Sequence, residues 1–162
     1  MQDGIRLVDK LSSGIGKGAE DALVMSANVL VELFGPDGEL KEQREVHNTV
    51  PTVGKNHVAD QLSASPGEAA MGWMAIGTGT PSATQLGVEL DKNALTSRTD
   101  SAAVVTYVGN WAAGDGTGAI TEAGVFNSVT PATGTMLVSA SFTVINKGAL
   151  DTLAVTWTLT IS

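Results

Sequence analysis

Residues 152–161 constrain the fold most. Leu153, Val155, Trp157, Leu159 and Ile161 alternate with Thr152, Ala154, Thr156, Thr158 and Thr160. A two-residue period puts one apolar and one Thr-rich face on an extended strand, whereas a helix would scatter the same residues around its axis. The period recurs in Leu23, Met25, Ala27, Val29, Val31 and Leu33, in Ala103, Val105, Tyr107, Gly109 and Trp111, and in Met136, Val138, Ala140, Phe142 and Val144. Trp73 to Ile76 and Ile120 to Phe126 are shorter strand candidates. Pro36-Asp37-Gly38 predicts a turn into Glu39 to Val46 and a first hairpin. Asn146 to Asp151 has turn chemistry of the length that predicts a last hairpin, joining the Met136 and Leu153 sets.

One stretch departs from this period. Val53, Val58, Ala59 and Leu62 have helical spacing after Pro51, with Thr52 as the expected cap and Pro66-Gly67 as the stop. About seven strands and one short helix predict a mainly β protein, an antiparallel β-sandwich of jelly-roll or immunoglobulin-like type. The sandwich is assigned to residues 21–162 and an N-terminal arm to residues 1–20. In the arm, Gly4, Gly14, Gly16 and Gly18 interrupt any helical stripe. Its apolar residues Ile5, Leu7, Val8, Leu11 and Ile15 have no local core to claim them, and they are the candidate partner-interface residues.

Composition narrows the function. The net charge of −8 argues against binding a nucleic-acid backbone, which needs many cations to release counterions. The absence of cysteine removes disulfides, thiolate nucleophiles and sulfur-ligated metals. No apolar run reaches the roughly 18 residues of a membrane span, and the first residues lack a signal peptide's apolar centre. A soluble chain made in the cytoplasm and not sent through the general secretory route is therefore expected.

The motifs point away from chemistry. His47 and His57 are the only histidines, and neither a Gly-x-Ser-x-Gly elbow nor a His-Glu-x-x-His pair is present. Gly14-Ile15-Gly16-Lys17-Gly18 lacks the preceding strand and the Ser or Thr of a phosphate loop. Ile76-Gly77-Thr78-Gly79-Thr80-Pro81 reads as a tight inter-strand loop, since nothing after it opens a helix. Gly114-Asp115-Gly116-Thr117-Gly118 has a single carboxylate where calcium takes six to eight oxygens. The expectation is a protein with no catalytic residues, no cofactor and no metal. Glu39, Lys41, Glu42, Arg44 and Glu45 read as the solvated face of an edge strand. The outward Thr residues of the last strand suit either open β surface or a flat polar interface between subunits.

A wider pattern links these pieces. His47-Asn48, Gly54-Lys55, Val58-Ala59-Asp60-Gln61-Leu62 and Ile76-Gly77-Thr78-Gly79 with Pro81 are followed by Arg98 and Thr121 to Asn127. Gly134 to Leu137, Asn146-Lys147-Gly148, Asp151-Thr152-Leu153 and Thr156-Trp157 complete the series. In that order, over roughly residues 24 to 162, the chain resembles small structural proteins of tailed bacteriophages. The resemblance implies a multi-copy virion component without enzymatic activity or cofactor, and leaves capsid and tail both open. It makes Gly77, Gly79, Gly124 and Gly148 sites of turning or close packing. It makes Glu122, Arg98 and Asp151 candidates for buried or interfacial ion pairs, and Trp157 and Trp73 core anchors.

The favoured expectation is a capsid decoration or cement protein at the capsid surface, bound to the major capsid protein and to copies of itself as a trimer or dimer. A tail or fibre-base component is the alternative. A receptor- or carbohydrate-binding module comes third, since few aromatic residues are left over for sugar stacking.

Overall fold

The computed structural model describes residues 23–162. In chain order these form β1 (Met25–Phe34), β2 (Leu40–Thr49), α1 (Thr52–Gln61), β3 (Trp73–Gly77), β4 (Glu89–Ala94), β5 (Ser97–Ser101), β6 (Val104–Trp111), β7 (Gly118–Phe126), β8 (Met136–Lys147) and β9 (Thr152–Ile161). One sheet has the order β2-β1-β9-β6-β5 and the other β4-β3-β7-β8. All pairings are antiparallel. Antiparallel neighbours are added to alternate sheets: β1 with β2, β3 with β4, β5 with β6, then β7 with β8. The last strand, β9, inserts between β1 and β6. The protein is mainly β, and two packed antiparallel sheets with one short helix fit the expected sandwich.

The alternating residues make its core. Val29, Val31 and Leu33 of β1 and Val155 and Trp157 of β9 are fully buried, as are Met74, Ile76, Ile120 and Val125 of the other sheet. Each such side chain contributes about 1.5–3 kcal/mol relative to an exposed one. Leu23, at the start of the first alternating set, is 69 % exposed because the strand begins two residues later. Trp73 is only half-buried and packs on a satellite cluster with Phe126 and Met136.

The expected last hairpin is not formed. β8 and β9 lie in different sheets, and Gly148 to Asp151 carry the chain across the sandwich. Lys147 holds the crossing in place: its buried ammonium donates to the carbonyls of Ala112 at 2.9 Å and Asp151 at 2.7 Å. Burial pushes this ammonium below its ordinary value of 10.5, and the Asp151 carboxylate opposes that shift. Asp151 also accepts from the Gly148 amide at 2.9 Å and pairs with Lys41 at 2.9 Å, tying the corner to β2. The alternation within β8 also changes phase. Its register against β7 shifts between Ile120 and Glu122, so Val144 faces out while Ile145 and Lys147 turn in.

Glu122 has no cationic partner among the described residues. Its fully buried carboxylate accepts from the amides of Gly79 at 2.9 Å and Val88 at 2.8 Å through Oε1, and from Gly87 at 2.8 Å through Oε2. The Thr121 hydroxyl donates to the Gly79 carbonyl at 2.7 Å. Residues 78–88 are thereby clamped onto β7. Gly77 and Gly79 leave room for the carboxylate, because a Cβ at either would collide with Oε1. Arg98 likewise makes no ion pair among the described residues; it donates to the Met71 carbonyl at 2.6 Å.

The two sheets close along one side. On β2, the Asn48 amide donates to the Ser139 carbonyl and Arg44 donates to the Val144 carbonyl at 3.1 Å, so the β8 edge is covered. The charged run of β2 is an edge strand, as expected. On the other side, Ser97 to Ser101 of β5 are exposed, and its polar, charged side chains discourage further strand pairing.

Candidate functional site

Helix α1 covers one end of the sandwich incompletely. Its N-cap is Pro51 with no side-chain capping bond, rather than the expected Thr52. Gly54 brings the helix directly onto the Leu137 carbonyl of β8, and any Cβ there would overlap that oxygen. Beyond the helix the chain folds back: Asp60 accepts from the amides of Gly67 at 2.9 Å and Glu68 at 3.0 Å, and Gln61 donates to the Glu68 carbonyl at 2.8 Å. His57 is buried, with Nδ1 at 2.9 Å from Glu68 Oε2.

Between this cap and the sheet ends lies a groove of about 320 Å³. The helix side offers Val58 and Leu62, and the inner face of the five-stranded sheet offers Val105, Tyr107, Leu159 and Ile161. Leu62 is 80 % exposed although it carries the helix's apolar pattern, because nothing in the described residues covers it. Arg98 stands at the rim. Tyr107 is only 7 % exposed, yet its hydroxyl has no hydrogen-bond partner among the described residues. Burial pushes the phenol above its usual 10.0, and the nearby Arg98 guanidinium pulls it back in part. A depression of about 460 Å³ at the opposite end, beside Phe34, Trp111 and Leu153, is larger but lies far from where the chain enters the sandwich.

That point of entry is at the groove. Val24 exchanges two hydrogen bonds with Ser162, at 2.7 and 2.9 Å, directly after the groove-lining Ile161. The described residues thus begin at the groove's own end. The candidate interface residues Ile5, Leu7, Val8, Leu11 and Ile15 lie outside the described residues, as does the Gly14 to Gly18 stretch. His47 is exposed on β2 whereas His57 is buried on α1, so the two histidines belong to different environments. Among the described residues, no cluster of three or more His, Asp or Glu side chains is arranged to hold a metal, and no helix is long and apolar enough to cross a membrane.

Acid should loosen this end and the Lys147 corner together. Backbone amides of Gly67 and Glu68 hold the Asp60 carboxyl below its ordinary 3.8, and His57 followed by Thr135 holds Glu68 below 4.5. Lys41 and the Gly148 amide hold Asp151 below 3.8. A carboxyl depressed in the folded state stabilises it above the unfolded value, and that contribution disappears as pH falls through the folded one. The unfolding temperature, followed by circular dichroism, should therefore be flat above about pH 5 and fall below pH 4.5. Asp60→Asn should reduce the acid dependence.

The fold and groove define an antiparallel β-sandwich module with one partly covered apolar end. No family model, no curated protein and no solved structure matches the chain.

Proposed function

We propose that this chain is a non-enzymatic structural protein of a tailed-bacteriophage virion, a decoration or cement protein that binds the assembled capsid and bridges its subunits. One observation supports the reading on the structural side: the apolar end groove lies beside Val24 and Ser162, at the end of the sandwich where the described residues begin. The ordered motifs of the resemblance support it further, because Gly54, Gly77, Gly79, Glu122, Lys147 and Asp151 each serve the frame. A frame held this way suits a rigid repeated part.

The mechanism is mass action. A protein that binds the finished lattice and not its separated subunits stabilises that lattice by RT ln(1 + [L]/Kd) per site, about 2.7 kcal/mol at a hundredfold excess over Kd. Its partners are the major capsid protein and copies of itself. Quantitative mass spectrometry of purified particles tests the assignment. A copy number on the order of the capsid subunits is expected. A few dozen or fewer would move the protein to the tail, and absence from particles would overturn the reading.

A further inference from the structure

We infer that β5 is a self-pairing edge: two copies of this chain join antiparallel through Ser97–Ser101, about a two-fold axis at Thr99, and make one continuous sheet across the dimer. The strand, Ser97-Arg98-Thr99-Asp100-Ser101, is complementary to its own reversed sequence. With Thr99 opposite its own copy, Arg98 of each chain stands opposite Asp100 of the other, and Ser97 opposite Ser101. Opposite charges directly across a strand pair attract, and like charges there repel. The charges that discourage pairing with other strands therefore select this strand in this register. One chain carries the complementary sequence once, in β5 itself, so the partner it fits is a second copy.

The strand is free for this use. β5 is paired with β6 on one side only, and all its residues are exposed. Ser101 and Val104 close the two-residue turn at Ala102-Ala103, which makes them a hydrogen-bonded pair. Counting back by twos, Ser97, Thr99 and Ser101 direct their main-chain groups to β6, while those of Arg98 and Asp100 point to the open edge. In the two-fold register Arg98 and Asp100 are therefore hydrogen-bonded partners, each pair exchanging both of its main-chain bonds, and Thr99 meets its copy as a non-hydrogen-bonded pair. The side chains are available as well. Arg98 uses only Nη1, on the Met71 carbonyl, and Asp100 has no hydrogen bond or ion pair among the described residues. β4, an outer strand of the other sheet, offers no such match, because its Lys92 is already paired with Glu89 at 3.1 Å and lies over the Phe126 ring.

The inference gives a surface to the self-association in the proposed function, but it rests on β5 and not on the capsid. Full-length Arg98→Asp places two acids on the edge and Asp100→Arg two arginines, so each variant meets like charges in the two-fold register. Each is expected to self-associate more weakly than the parent in sedimentation equilibrium, by about tenfold or more. Mixed one to one, the two variants should associate with each other as the parent does with itself, and the Arg98→Asp/Asp100→Arg double variant should recover too. A variant that had merely misfolded would not recover in this way. In a second measurement, Thr99→Cys introduces the only thiol of the chain and brings it opposite its own copy, at a Cα separation of about 4.5 Å, within disulfide reach. Mild oxidation should give about ten times or more the disulfide dimer obtained from Ser97→Cys, whose two copies stand roughly 14 Å apart in this register. A monomeric parent, single variants that associate like the parent, a mixture that does not recover, or equal oxidation of the two thiols each overturns the inference. Both measurements use the isolated protein, so self-pairing can fail while capsid binding holds, and the reverse.

Discussion

Replacing Glu122 with Gln should lower the unfolding free energy by about 3 kcal/mol, measured by urea denaturation, with the transition remaining cooperative. The carboxylate accepts three amide bonds inside the protein, two on Oε1 and one on Oε2. In Gln one of those positions becomes an NH2 group, which has a proton of its own to place and cannot accept. Either the Gly87 amide loses its acceptor, or the Gly79 and Val88 amides lose theirs. A buried hydrogen bond to a charged group is worth about 1.5–3 kcal/mol, and leaving its donor unpaired adds a desolvation cost of about 1–3 kcal/mol. The damage should be local, with amide exchange accelerating first across residues 78–88. Asp at this position keeps the charge but is one methylene shorter, so it should rescue little. A change under about 0.5 kcal/mol would mean that the clamp contributes nothing to stability.

Gly54→Ala should destabilise by about 2–3 kcal/mol through overpacking. In an open helix the same change would stabilise by about 1 kcal/mol, since Ala is the better helix former. The sign reverses here because the added methyl would overlap the Leu137 carbonyl, a backbone atom that cannot swing aside, and would crowd Val50. The helix must tilt away from β8 to accommodate it. Amide exchange should accelerate over residues 52–61 and leave β1 and β9 protected, and the groove beneath the helix should widen. An unchanged or raised stability would mean that α1 does not rest on β8 as described.

These two sites differ in how far the sequence revealed them. The strands with one buried face were legible, because β1 and β9 alternate cleanly between core and outer residues. β4 and β5 were not. Glu-Leu-Asp-Lys-Asn-Ala and Ser-Arg-Thr-Asp-Ser contain no apolar face, and these segments are extended only because β3 and β6 offer them a ladder. The Asn146 to Asp151 turn was legible as a turn but not as a change of sheet. That choice depends on partners far away in the chain: Ala112 for the Lys147 ammonium, and β1 and β6 for β9.

The buried charges were half-read in the same way. Asp151 does pair with a lysine, but Glu122 draws on backbone amides, which leave no trace in the residue types apart from the nearby glycines. Val58, Leu62, Leu159 and Ile161 all have the pattern of core residues. Sequence does not show that the cap stops short and leaves them lining a groove, because that depends on where Gly54 and Leu137 fix the helix.

The capsid assignment is tested most directly by adding the purified full-length protein to expanded capsids that lack it, then measuring co-sedimentation and the temperature of capsid disruption. Saturable co-sedimentation is expected, together with a disruption temperature that rises with the concentration of added protein. Protein left entirely in the supernatant, with the disruption temperature unchanged, would contradict a cementing role.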